Sequence, residues 1–273
     1  MTRRPLLIVS GFVGVALALG VLLAQPRTAW EVARAVADKQ QQDGRAIDYS
    51  ALTDRLEAYL NSDPPRKHAR NALRAYFSLR ERAGATERDL HALASHPSRQ
   101  ISDMAQAKLR RLALMREPLQ LRFVALDGRQ IDLQDLHGRV VLLDFWATWC
   151  STCMRELPHL KSLYDNYHDQ GFEIVAITLD DARDRQNVLA LLKKENLLWP
   201  QYFPGDGHYV TSEVSKRFGV IGIPTTFLLD RQGMIAAMNV PGEELETAVR
   251  RLLALQTTVD GEARPAVRAE AST

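Results

Sequence analysis

The chain has 273 residues, 46% of them hydrophobic and 25% charged, enough apolar side chain to bury a core in one large domain or two modest ones. Its 35 Lys and Arg against 33 Asp and Glu leave a formal charge of +2, so no strongly charged partner is implied and nucleic acid is not expected as one. Two cysteines are too few to form a disulfide framework for the fold.

Arg3, Arg4 and Pro5 precede an uncharged run from Leu6 to Ala24. At about 1.5 Å rise per helical residue the run reaches roughly 28 Å, close to the roughly 30 Å of a bilayer core, whereas the apolar core of a cleaved signal is about 7 to 15 residues long. Residues 1–27 are therefore expected to be a signal anchor or signal peptide. The anchor is preferred because Leu22-Leu23-Ala24 is a poor cleavage site, although Ala16-Leu17-Ala18 offers one. Positive charge ahead of the run places the N-terminus in the cytoplasm and the remainder outside.

Residues 28–117 are rich in Ala, Leu, Arg and Glu and predict an all-helical domain. Helices are expected at 29–41, 49–60, 66–82, 87–94 and 98–115. Asp63-Pro64 and His96-Pro97 lie 33 residues apart, and Ala72, Tyr76 and Leu79 then match Ala105, Leu109 and Leu112. That spacing points toward a stacked repeat of the HEAT type, with fewer units than such stacks usually have.

After Pro118 the period changes. Leu119, Leu121, Phe123 and Ala125 alternate with more polar positions, Asp127-Gly128 follows, and Ile131 and Leu133 resume the alternation, which predicts a β-hairpin. Val140 to Ala147 is apolar except for Asp144, as expected of a strand buried on both faces. Next come a helix over 150–168, a strand over 172–178, helices over 182–195 and 211–218, strands over 225–230 and 234–238, and a helix over 243–255. Strands and helices in alternation, closed by a hairpin, predict an α/β domain with a mixed sheet over 118–256. Residues 257–273 are polar and aperiodic and are expected to form a disordered tail.

The two cysteines stand as Cys150-Ser-Thr-Cys153 at a strand-to-helix junction. The first turn of a helix offers unpaired N–H groups and the positive end of the dipole, which stabilise a thiolate at Cys150. Cys150 is thus expected to attack disulfides and Cys153, one turn further on, to resolve the product. A zinc site would need two more soft ligands, and no two of the seven histidines stand at ligand spacing. No metal and no cofactor are expected. The pair Asp180-Asp181 with Asp184 reads as loop and helix-start charge.

The segments FVALDGRQIDL from Phe123, LDFWATWCSTCMRELP from Leu143 and FGVIGIPTTFLLD from Phe218 resemble the TlpA/ResA branch of the thioredoxin superfamily, in order and spacing, from about Pro118 to Leu255. The resemblance implies a thioredoxin-like mixed sheet flanked by helices, preceded here by the all-α domain and the N-terminal membrane segment. It also implies an exported thiol-disulfide oxidoreductase, held by a single N-terminal anchor in the bacterial inner membrane with its domains in the periplasm, or free in the periplasm if the leader is cleaved. By position Pro224 matches the cis-proline facing the cysteine pair. The backbone of Ile223 and the neighbouring Trp149 would then contact a substrate strand. Asp144 matches the buried carboxylate of thioredoxin and Glu156 a glutamate near the pair, both implied in acid-base work with Cys150 and Cys153. The expected partners are oxidised protein thiols, such as apocytochrome c or metal-site cysteines, and a membrane electron donor of the DsbD/CcdA kind. Thr152 stands where many members have Pro, which leaves the direction of electron flow open. A disulfide oxidase or isomerase, or an adaptor dominated by the helical domain, are the alternatives.

Overall fold

The computed structural model describes residues 49–62, 66–207 and 212–255. The expected leader over 1–27, the helix over 29–41 and the tail over 257–273 lie outside the described residues. Among those described, no helix is long and apolar enough to cross a membrane. The chain divides into two compact units, Met1–Leu109 and Arg110–Thr273.

In the first unit, α1 (Tyr49–Asn61) and α2 (Arg66–Arg82) are followed by α3 (Glu87–Leu93) and α4 (Arg99–Leu114), whose last turn enters the second unit. Leu52, Leu56 and Leu60 form the apolar stripe of α1, and Ala72, Leu73, Tyr76 and Phe77 that of α2. The Tyr76 hydroxyl donates to Glu57 Oε2 at 2.8 Å, and the His96 ring nitrogen Nε2 lies 3.0 Å from Glu57 Oε1. One carboxylate thus joins α1, α2 and the segment ahead of α4. Of the residues matched across the 33-residue spacing, Ala72, Tyr76 and Ala105 are buried, whereas Leu112 is 36% exposed.

The second unit is built on a five-stranded mixed sheet of order β5-β4-β3-β6-β7. Its strands are β3 (Val140–Trp146), β4 (Phe172–Thr178), β5 (Gln201–Tyr202), β6 (Thr225–Leu229) and β7 (Ile235–Met238). β3 pairs in parallel with β4 and antiparallel with β6, which accounts for the complete burial of both central strands. The predicted hairpin is present but short, with β1 (Arg122–Val124) against β2 (Gln130–Asp132). Beyond these three pairs the Ala125 N–H donates to Arg129 O and the Leu133 N–H to Leu121 O, while the Leu119 N–H donates to Gly233 O and the Leu126 N–H to Gln201 O.

Alternation along β3 sorts its side chains between two cores. Val141, Leu143 and Phe145 join the hairpin residues and Val214 and Phe218, from α7 (Glu213–Arg217) and just beyond it. Val140, Leu142 and Trp146 face α5 (Ser151–Tyr167) and α8 (Gly242–Ala254) through Leu160, Leu163, Leu245 and Val249. α6 (Arg185–Glu195) bridges β4 and β5. This is the thioredoxin-like mixed sheet flanked by helices that the resemblance implied.

Candidate active site

β3 ends at Trp146, and the Ala147–Trp149 turn delivers Cys150 to the N-cap of α5. The turn is closed by the Cys150 N–H, which donates to Ala147 O at 3.1 Å. Cys150 and Cys153 are joined by a disulfide with Cα atoms 5.3 Å apart, and the Cys153 N–H also donates to Cys150 Sγ at 3.2 Å. Both are largely buried, Cys150 at 8% exposure and Cys153 at 5%, whereas Trp149 beside them is 50% exposed. When the disulfide is reduced, that N–H and the helix end stabilise negative charge on the outer sulfur.

Asp144 is an even-numbered residue of β3, so its side chain lies on the same side as Leu142 and Trp146, where α5 and the two cysteines pack. Desolvation by burial, and secondly the charge of Glu156, push its carboxyl up to about 7. Glu156 is half-buried on α5. Asp144 thus faces the side of the sheet covered by α5, the helix that Cys150 caps and that carries Cys153 and Glu156.

The register of β3 against β6 sets Phe145 opposite Thr225, which brings Pro224 to the end of the sheet where β3 hands over to Cys150. The Ile223–Pro224 peptide bond is cis. Ile223 is half-buried and packs against both cores, including the one that holds Cys150 and Cys153. Cys150, Cys153, Trp149, Ile223 and Pro224 thus lie where β3 and β6 meet the start of α5, and Asp144 lies within β3 on the side that α5 covers.

The Thr152 hydroxyl accepts from Arg155 Nη2 at 3.3 Å, and the donor facing Cys150 Sγ is the Cys153 N–H. Asp180 corrects the expectation of a loop charge: it is fully buried and accepts hydrogen bonds from the N–H and hydroxyl of Thr148 and from the Thr178 hydroxyl. Asp180 stands two residues after Thr178, on the same side of an apolar strand, and that spacing was the available signal. Gln201 was also missed. Its side-chain oxygen accepts from Trp146 Nε1 at 3.1 Å and fixes the indole at the base of the turn.

The Redoxin family model matches residues 111–253. Among curated proteins, a "Thiol-disulfide oxidoreductase ResA" from Bacillus thuringiensis is 34% identical over 128 residues, which span 47% of this chain and 69% of that protein. The protein of the same description from Bacillus subtilis is 31% identical over 123 residues, 45% of this chain and 64% of that one. Among solved structures, the thioredoxin domain of a thiol-disulfide oxidoreductase from Bacteroides vulgatus matches with 28% identity and a TM-score of 0.45, covering 50% of this chain and 95% of that one.

Proposed function

Because this chain belongs to the Redoxin family and is a ResA-like thiol-disulfide oxidoreductase, we propose that it works outside the cytoplasm as a reductase of protein disulfides, through Cys150 and Cys153. The observation that carries the chemistry is the N-cap placement of Cys150, with its sulfur facing the Cys153 N–H. In the reduced protein the Cys150 thiolate attacks one sulfur of a substrate disulfide, forming a mixed disulfide and releasing the other substrate sulfur as a thiolate. Cys153 then gives up its proton and attacks Cys150 Sγ. The second substrate thiolate leaves, the Cys150–Cys153 disulfide forms, and two electrons have passed to the substrate.

Asp144 is the acid-base group for the Cys153 proton: a carboxyl poised near 7 can both accept and return it at neutral pH. Glu156 supports this by raising Asp144, while Pro224, Ile223 and the exposed Trp149 form the surface that meets the substrate chain. Reduced apocytochrome c or metal-site cysteines are the products this reading assigns. A membrane donor of the DsbD/CcdA kind restores the dithiol. The uncharged run from Leu6 to Ala24 behind Arg3 and Arg4 supports an N-terminal membrane anchor and a periplasmic location.

The test of direction is the equilibrium of the pair against a defined thiol-disulfide buffer. A potential below about −200 mV supports the reductase, and one near the roughly −120 mV of a strong periplasmic oxidant replaces it with the oxidase reading.

A further inference from the structure

Cys150 is held in place from outside its own motif. Trp146 and Thr178 are the last paired residues of β3 and β4, yet the two chains stay joined beyond them, because the Leu179 N–H donates to Trp146 O at 2.8 Å. One step further, the Asp180 carboxylate meets Thr148. The Thr148 N–H donates to Asp180 Oδ2 at 3.0 Å and reaches Oδ1 at 3.3 Å, the Thr148 hydroxyl donates to Oδ1 at 2.5 Å, and the Thr178 hydroxyl donates to Oδ2. Asp180 and Thr178 have no exposed surface. A carboxylate is costly to bury, and one bonded by donors from two neighbouring segments fixes both of them. Thr148 lies inside the turn closed by the Cys150 N–H and Ala147 O. The direction in which this turn leaves the sheet decides whether Cys150 Sγ reaches the N-cap position opposite the Cys153 N–H.

We propose that Asp180 is a positioning residue for the thiol-disulfide reaction: by anchoring Thr148 it holds Cys150 in the N-cap geometry and thereby sets its nucleophilicity. This rests on the reading of Cys150 as the attacking thiol. Asp180 has no exposed surface through which to meet a substrate, and its carboxylate is bonded to Thr148 and Thr178. It acts through the turn.

The chain has two cysteines, so in a Cys153→Ala background Cys150 is the single thiol and its alkylation by iodoacetamide can be followed against pH. Thr148→Val keeps the size and the backbone N–H but removes the hydroxyl, Thr148→Ser keeps the hydroxyl, and Asp180→Asn removes the charge. Thermal melting confirms that each is folded. Thr148→Val is expected to slow alkylation at pH 6 at least threefold and move the midpoint of the profile upward, with Thr148→Ser restoring the rate to within twofold. A folded Asp180→Asn is expected to slow it at least as much as Thr148→Val.

Profiles for Thr148→Val that superimpose on the Cys153→Ala parent overturn the proposal. Equal slowing by Thr148→Ser overturns it too, since the effect would then follow volume and not the hydrogen bond. A parent midpoint near the ordinary thiol value of about 8.5 contradicts the reading of Cys150 as an activated thiol and removes the premise, an outcome distinct from both others because it is visible before any change at Thr148.

Discussion

The backbone N–H of Cys153 points at Cys150 Sγ across 3.2 Å, so the resolving residue also supplies the donor that stabilises the attacking one. The sulfur at the cap is therefore the better thiolate, and Cys153, inside the first turn, lacks that position. In the reduced protein Cys150 is expected to be alkylated faster than Cys153 at pH 6, by tenfold or more. Comparing the Cys150→Ala and Cys153→Ala proteins by mass spectrometry after a short pulse of alkylating agent checks this.

Asp144 makes stability depend on pH in a definite direction. Below its unfolded value of 3.8 the carboxyl is protonated in both states and costs nothing; above it the unfolded chain ionises first, while the folded protein keeps the proton until about pH 7. Stability is therefore lost as pH rises from 4 to 7 and levels off above, by at most about 4 kcal/mol for a shift of this size. Asp144→Asn should remove this dependence and so gain on the parent between pH 4 and pH 8, as read from urea unfolding at the two values. The same substitution should slow resolution of the mixed disulfide by about 10- to 100-fold at pH 7 and abolish the inflection of its rate near pH 7.

Phe145, Phe218 and Phe227 meet in the core on the side of the sheet away from α5, with ring centroids 5.5 to 6.0 Å apart and all three fully buried. Phe227→Ala should cost about 3 to 5 kcal/mol, through lost burial and the cavity left behind. Chemical denaturation measures it directly. Trp149→Ala should act differently, because this ring is half exposed at the mouth of the site: KM for a protein disulfide is expected to rise several-fold, by more than kcat falls.

In the first unit, burial pushes the Glu57 carboxyl up, but the hydrogen bonds from Tyr76 and His96 and the nearby cationic groups outweigh it and leave the carboxyl below its usual value. Tyr76→Phe removes one of these donors from a fully buried position. The expected cost is about 1 to 3 kcal/mol, measured by thermal unfolding.

The parts of the second unit legible from sequence are those with a long, unambiguous period. β3 reads as an apolar run broken by one charge because it is flanked by strands and buried along its whole length. Asp144 stood out for the same reason, as the single charge in such a run. β5 was not legible: two residues, Gln201 and Tyr202, carry no period, and the strand exists because Ala176 and Ile177 offer it an edge. Asp180 was misread because an acid just past a strand looks the same in sequence whether it faces water or the turn on the neighbouring strand. Its partner Thr148 is 32 positions away, and only the parallel pairing of β3 with β4 brings them together.

The central claim, that Cys150 attacks and Cys153 resolves, is tested most directly by mixing the reduced Cys153→Ala protein with a protein disulfide and mapping the trapped adduct by mass spectrometry. A stable mixed disulfide is expected at Cys150 in Cys153→Ala and little or none in Cys150→Ala. Equal trapping at Cys153 in the Cys150→Ala protein would contradict the claim.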